Sequence, residues 1–146
     1  MTRVGLISDT HGYLDGNFVK FLKDCDEIWH AGDIGSHQIL DRLEYITPVK
    51  AVFGNIDDHS IRKRCPEFHD FYCENSRVWI IHIGGRPGKY DQRIRDRFAR
   101  ETPDVLICGH SHILKIQHDR NWGFLFVNPG AAGKSGFHKK RTGVKF

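Results

Sequence analysis

The segment Val4-Gly5-Leu6-Ile7-Ser8-Asp9-Thr10-His11-Gly12 sets a short apolar run directly against a polar turn rich in metal-ligand residue types. A run this short, closed by Asp, Thr and Gly, reads as a buried strand over Val4 to Ser8 that ends in a loop. The same figure returns along the chain. Glu27 to Ala31 is a second strand closed by Gly32-Asp33, and Val49 to Phe53 is a third, stopped by Gly54-Asn55. Val78 to Ile81 ends in His82, and Val105 to Cys108 runs into Gly109-His110-Ser111-His112. Loops at strand ends are where a rigid scaffold brings functional groups together.

Between these strands the pattern turns helical. Phe18, Phe21 and Leu22 predict an amphipathic helix from about Asp15 to Lys23, and Ser36 can cap a helix whose apolar face is Ile39, Leu40 and Leu43. Alternating strand and helix predicts parallel β-α-β units with their ligand loops at the carboxyl ends of the strands. The second half is richer in strands. Phe68 to Cys73 and Val78 to Ile81 flank a hairpin turn at Glu74-Asn75-Ser76-Arg77, while Leu114 to Gln117, Phe124 to Asn128 and Gly143 to Phe146 read as further strands. Ile94 and Phe98, four apart among charges, place a surface helix over Asp91 to Arg100. The expectation is an α/β chain with two packed sheets and helices outside, forming one domain over residues 1–146.

Composition agrees with an ordinary globular protein: 146 residues, 39% hydrophobic and 27% charged. No apolar stretch approaches the roughly 20 residues of a membrane span. The start, Met1-Thr2-Arg3-Val4, lacks the apolar core of a signal peptide, so a cytoplasmic location is expected. Cys25, Cys65, Cys73 and Cys108 are isolated, with no CxxC pair; Cys25, Cys73 and Cys108 lie at or beside apolar runs and read as buried free thiols. The net charge of +4 is mild, with Lys134, Lys139, Lys140, Arg141 and Lys145 near the end. That basic end is either a solvated edge or an electrostatic lip for a phosphorylated substrate. It is not interleaved with stacking aromatics, which argues against a nucleic-acid groove.

Taken singly, each polar cluster admits a plain structural role. Asp9 and Asn55 suit turns, Asp33 sits between reversing glycines, and His82 could be a hydrogen-bonded core histidine. Asp9 and His11, two apart in extended chain, would share a face and reach one ion. His110 and His112 repeat that spacing after a buried strand. A carboxylate such as Asp33 has two oxygens and can bridge two cations. Coincidence of all these groups on successive strand ends points to metal chemistry.

In this order, Asp9-Thr10-His11, Gly32-Asp33, Gly54-Asn55, His82 and Gly109-His110-Ser111-His112 resemble the motifs of the calcineurin-like metallophosphoesterase superfamily. The resemblance runs from about Arg3 to Gly130 and is similar to the small bacterial and archaeal phosphodiesterases of that superfamily. It implies a four-layer α-β-β-α sandwich, two mixed β-sheets flanked by helices. It also implies two divalent metal ions: Asp9, His11 and His112 on one, Asn55, His82 and His110 on the other, and Asp33 on both. Oxygen and imidazole donors without thiolate favour manganese, with iron, zinc or nickel as alternatives. Such a pair would activate a water for in-line attack on phosphorus. After Asp9, Asp33 and a bridging hydroxide are counted, the residual positive charge suits the single negative charge of a small phosphodiester.

The chain also departs from the family pattern. Many members place a His directly after the Asn of Gly-Asn, where it assists the leaving group; here Ile56 follows Asn55. His59 either compensates as a catalytic group or is a solvated turn residue. After His82 the family usually has Gly, whereas this chain reads Ile83-Gly84-Gly85-Arg86. Arg86 could grip a substrate phosphate, or be a loop arginine. His30 either orients Asp33 through a hydrogen bond or is a buried, satisfied histidine. The expected function is a metal-dependent phosphodiesterase. Its rivals are a phosphomonoesterase with the same metals and a non-catalytic protein-binding scaffold on this fold.

Overall fold

The computed structural model describes residues 1–146. In chain order the elements are β1 (Val4–Ile7), α1 (Gly16–Leu22), β2 (Glu27–His30), α2 (His37–Ile46), β3 (Val49–Ala51), α3 (His59–Arg62), β4 (Phe68–Cys73), β5 (Ser76–Ile81), β6 (Gly85–Arg86), β7 (Lys89–Tyr90), α4 (Gln92–Phe98), β8 (Val105–Cys108), β9 (Leu114–Asp119), β10 (Phe124–Pro129) and β11 (Val144–Lys145). One sheet has the order β11-β1-β2-β3, the other β4-β5-β8-β10-β9, and β6 and β7 form a separate two-stranded hairpin. β1, β2 and β3 run parallel, with β11 antiparallel at the edge. In the second sheet β5, β8 and β10 run parallel to one another, while β4 and β9 are antiparallel edges.

Side-chain alternation produces the layers. Val4 and Leu6 of β1, with Trp29 and Ala31, face Val78, Ile80, Ile107 and Val127 of the other sheet and form the core between the sheets. Ile7 and Ile28 point the other way, against Leu22 of α1, Leu40 and Leu43 of α2 and Ile61 of α3. On the far face of the second sheet, Trp79, Leu106, Phe124 and Phe126 pack with Ile94 and Phe98 of α4. The result is the expected four-layer α-β-β-α sandwich of two mixed sheets. Central strands buried on both faces explain why their sequences are continuous apolar runs rather than alternating ones.

Local chemistry sets the boundaries. Ser36 Oγ accepts from Gln38 N at 3.2 Å and starts α2, as its sequence position indicates. Asp15 and Asp91 cap α1 and α4 in the same way. The hairpin turn is tighter than expected. β5 already begins at Ser76, opposite Cys73, and Glu74 takes φ +54°, so Glu74 and Asn75 alone make the turn. Two elements escaped the sequence reading: α3, one turn long, and the Gly-rich β6–β7 hairpin, both too short to show a period. Cys25, Cys65 and Cys108 are buried free thiols, whereas Cys73 is only half-buried. No helix is long and apolar enough to cross a membrane.

Candidate metal centre

The loops that follow β1, β2, β3, β5 and β8 meet at one end of the two sheets. Backbone hydrogen bonds zip them together beyond the regular ladders. Asp9 N donates to Gly32 O at 2.9 Å, His11 N to Asp33 O at 2.9 Å, and Gly109 N to His82 O at 3.0 Å. On the other side of the first loop, Ala132 N donates to Ser8 O at 2.9 Å and Gly133 N to Asp9 O at 3.1 Å.

Two groups of ligand atoms form there, Asp9 with His11 and His112, and Asp33 with His82 and His110; within each group the atoms lie within 4.8 Å of one another. Asp33 Oδ2 lies between the groups, 3.5 Å from His11 Nε2 and 3.2 Å from His82 Nε2. Asn55 Oδ1 joins the second group at 3.1 Å from His82 Nε2. The structure thus brings together every residue that the motifs nominated as a ligand, including His82 despite the Ile83 that follows it.

The backbone corrects one premise. Asp9 and His11 were expected to share a face of extended chain, but both are left-handed, with φ +55° and +49°. His110 and His112, at +73° and +63°, and Asp33, at +55°, adopt the same conformation, and Glu74 is the only other non-glycine residue that does. That conformation costs an L-residue about 1–2 kcal/mol, and strain of this kind gathers at functional sites. A tight turn, not strand alternation, aims each pair inward.

Neighbours fix the remaining atoms. Asp9 Oδ2 accepts from Ser8 Oγ at 2.6 Å and from His110 N at 3.1 Å, which leaves Oδ1 for the centre. Asp33 Oδ1 accepts from Ile56 N at 3.1 Å, so a single oxygen, Oδ2, faces both triads instead of one oxygen facing each. His82 Nδ1 donates to Ala31 O at 2.7 Å, which turns the lone pair of Nε2 inward. Gly32 has φ +101°, and a Cβ there would stand 2.6 Å from His82 Nδ1. A Cβ on Gly54 would collide with Asp33 Oδ1. Glycine therefore precedes Asp33 and Asn55 because the ligands fill the space a side chain would need.

A metal fits this donor set. Asp9 Oδ1 and His11 Nε2 are buried and have no hydrogen-bond partner, a costly state for polar atoms that a cation would relieve. Charge points the same way. Burial pushes the Asp9 and Asp33 carboxyls up, but the surrounding imidazoles outweigh it and hold both below the usual carboxylate range. Asp9 lifts His11 above the ordinary imidazole value, and Asp33 and Asp9 lift His82 in spite of its burial. Burial lowers His112. Two metal-binding sites are present, side by side.

Other expectations came out differently. His30 does not touch the Asp33 carboxylate. Its Nδ1 accepts from Gly32 N at 3.1 Å, so Nε2 carries the proton and donates to Thr10 Oγ1 at 3.0 Å; Thr10 Oγ1 in turn donates to Ile34 O at 2.9 Å. Full burial pushes the His30 imidazole down to about 4, so it is neutral and ties the first two loops together. His59 is exposed on α3, outside both triads and outside the walls of the adjoining clefts. In the basic end, Arg141 pairs with Asp15 at 2.6 Å and Lys145 with Asp24 at 2.8 Å. Arg86 lines a cleft of about 720 Å³ beside His110.

The hydrogen bonds of three supports were not legible in the sequence, although Asn128-Pro129-Gly130 resembles the family's closing turn near the metals. Asp57, buried, accepts from Gly54 N at 2.8 Å, Ile34 N at 3.1 Å and Gly35 N at 2.8 Å, and so clamps the loops of Asp33 and Asn55. Its position three residues after Gly54 is that of a side chain folding back onto a turn, the one signal that could have revealed it. Ser8 steadies Asp9, as noted. Asn128 Nδ2 donates to Gly109 O and Ser111 Oγ, both at 3.0 Å, and holds the His110 loop.

A four-layer sandwich with two adjoining Asp/His triads at its strand ends defines a dinuclear metal-binding centre of the hydrolase type. The chain belongs to the calcineurin-like phosphoesterase superfamily, whose domain description matches residues 2–145. A relative from Methanothermobacter thermautotrophicus, described as a probable metallophosphoesterase, is 34% identical over 133 residues, covering 88% of this chain and 76% of that protein. Among solved structures, a Thermotoga maritima protein is similar with a TM-score of 0.69 and 26% identity, covering 90% of this chain and 85% of the other. Vacuolar protein sorting 29 from Cryptosporidium parvum is similar with a TM-score of 0.73 and 25% identity, covering 90% of this chain and 75% of the other. The relatives reach into eukaryotes, so membership is shown for the superfamily, which is wider than its small bacterial and archaeal phosphodiesterases.

Proposed function

We propose that this protein is a metal-dependent phosphodiesterase of the small single-domain kind. In this reading Asp9, His11 and His112 hold one divalent ion, Asn55, His82 and His110 hold the other, and Asp33 Oδ2 is shared. The single observation that carries it is the position of that oxygen, 3.5 Å from His11 Nε2 and 3.2 Å from His82 Nε2. When bound, two divalent cations supply positive charge for the phosphoryl oxygens and acidify a water. The donor set of carboxylate, amide and imidazole suits manganese, with iron, zinc and nickel as the other candidates.

The surroundings support a diester over a monoester. Two clefts, of about 720 and 240 Å³, open on either side of Ile83, one beside His110 and the other beside Asn55 and His82. A diester has a substituent to place in each, whereas a monoester has one. Neither position considered for a proton donor to the leaving group supplies one, because Ile56 follows Asn55 and His59 lies outside the clefts. Aryl diesters should therefore be cleaved much faster than alkyl diesters, since general-acid help is worth about 10²–10⁴-fold. The scaffold alternative has less in its favour, because a binding surface has no use for strained ligand turns and a buried, unpartnered Asp9 Oδ1.

The test is hydrolysis of bis(4-nitrophenyl) phosphate and of 4-nitrophenyl phosphate by stripped protein reloaded with manganese, iron, zinc or nickel. Metal-restored cleavage that favours the diester is expected. Faster cleavage of the monoester would replace the reading with a phosphomonoesterase. No cleavage by folded protein carrying two ions would favour a scaffold.

A further inference from the structure

The larger cleft carries a charge pattern that a simple diester leaves unused. On the β6–β7 hairpin Arg86 is paired directly opposite Lys89, which sets two like charges side by side. Such a pair is destabilising on a two-residue ladder unless something negative sits between or above it. Lys115 of β9 reaches into the same cleft from the other wall. None of the three makes a salt bridge; across the chain the ion pairs belong to other residues, such as Arg64 with Asp41 and Arg77 with Asp70. The lining has one carboxylate against its three cations, Asp91, and one of its oxygens is engaged elsewhere. Its Oδ1 caps α4 by accepting from Arg93 N at 3.0 Å and lies 3.7 Å from Arg93 Nε.

The cleft joins the metal centre, because His110 of the second triad lines it. Its volume of about 720 Å³ falls within the range of small-molecule sites. Ile83 and Ile113 give it apolar walls, so an organic group can lie between the phosphorus and the cations. Arginine grips phosphate with two parallel N–H donors and lysine adds a point charge, and both gain most where no carboxylate competes.

We infer that this cleft selects phosphodiesters whose one arm carries a further phosphate group, bound by Arg86, Lys89 and Lys115; the inference rests on the phosphodiesterase reading. The substrate is then an organic molecule with one diester at the triads and a second, terminal phosphate at the hairpin. The group on the other side of the diester enters the smaller cleft beside Asn55.

The test uses the full chain loaded with its working metal and two matched probes, the 5′-(4-nitrophenyl phosphate) esters of thymidine with either a 3′-hydroxyl or a 3′-phosphate. The 3′-phosphorylated ester should show a kcat/KM about tenfold or more higher at low salt, the scale of one charge-assisted contact. In a Lys89→Gln, Lys115→Gln double variant that ratio should fall toward one, and rising salt should erode it in the wild type. A ratio of one in the wild type, or a ratio the double variant keeps, would overturn the inference. Calorimetric binding of thymidine 3′,5′-bisphosphate against thymidine 5′-phosphate separates the two readings. A bisphosphate preference that the double variant loses, in protein that cleaves no diester, would uphold the cleft and remove the phosphodiesterase. Diester cleavage without that preference would do the reverse.

Discussion

Asp33 Oδ2 lies 3.2 Å from His82 Nε2, although the two residues come from different sheets and are joined only through the ends of β2 and β5. The same oxygen serves His11 on the other side, while Asp33 Oδ1 is held by Ile56 N. Removing its charge should therefore affect both ions at once. Asp33→Asn keeps the shape and an acceptor for Ile56 N, so the fold should survive. Bound metal should fall from two ions per chain to one or fewer, and diester cleavage by at least about 10²-fold. Elemental analysis beside a circular dichroism spectrum checks this; two ions retained by folded Asp33→Asn would rule out the shared-oxygen role.

Protons and metal compete for the same nitrogens. In the metal-free protein His11 is raised by Asp9, and His82 is raised by Asp33 and Asp9 against the effect of its burial. A raised folded value means that this stabilisation is full below the unfolded value near 6.5 and is lost as pH rises through the folded value. Metal needs the neutral imidazoles, so it replaces what the protons no longer supply. The gain in Tm on adding manganese should grow steadily from pH 6 to pH 8.5. Thermal scans with and without metal measure it, and a gain that does not change with pH would contradict the account.

His30 works with the opposite sign. It is neutral in the fold, because full burial pushes its titration down to about 4, and its Nδ1 accepts from Gly32 N. The unfolded chain takes up a proton near pH 6.5 and the folded chain does not. Stability is therefore full above 6.5 and declines as pH falls toward 4, by about 3 kcal/mol in total. His30→Gln can still bond Gly32 N and Thr10 but does not titrate. Its stability deficit relative to the wild type, measured by urea denaturation of metal-free protein, should shrink over that window. Parallel curves would show that His30 is not the group responsible.

Asp57 holds two ligand loops with three backbone bonds and touches no ligand directly. Asp57→Ala leaves three amide N–H groups without a partner, and hydrogen bonds to a charged group contribute about 1.5–3 kcal/mol each. A loss of roughly 3 kcal/mol or more in unfolding free energy is expected, together with weaker metal binding. Denaturant titration and metal titration read the two effects. A variant with unchanged stability would mean that the loops hold their shape without Asp57.

Much of this was readable beforehand because strands buried on both faces need unbroken apolar runs. Val105 to Cys108, a central strand buried over Leu106 to Cys108, occupies the span its sequence marks out. Ser36 starts α2, where its hydroxyl has a vacant amide to accept from. The ligand types were equally plain, each standing just after such a run. The extended geometry assumed for Asp9 with His11 was wrong because φ is set by the turn and by the loops bonded to it, not by residue spacing. The partner of His30 was missed for a similar reason: Thr10 reaches it only once β1 and β2 lie side by side.

The chain by itself determined the layer order and the identity of the ligand residues, since hydrophobic period and donor chemistry are properties of local sequence. Tertiary structure alone decided which atoms face the metals. Asp9 Oδ1 and Asp33 Oδ2 are left for the centre because Ser8, His110 and Ile56 occupy the opposite oxygens. It also decided that Arg86, Lys89 and Lys115, from two separate hairpins, share one cleft with His110. A side chain's spare valence depends on what packs against it, and that comes from parts of the chain distant in sequence.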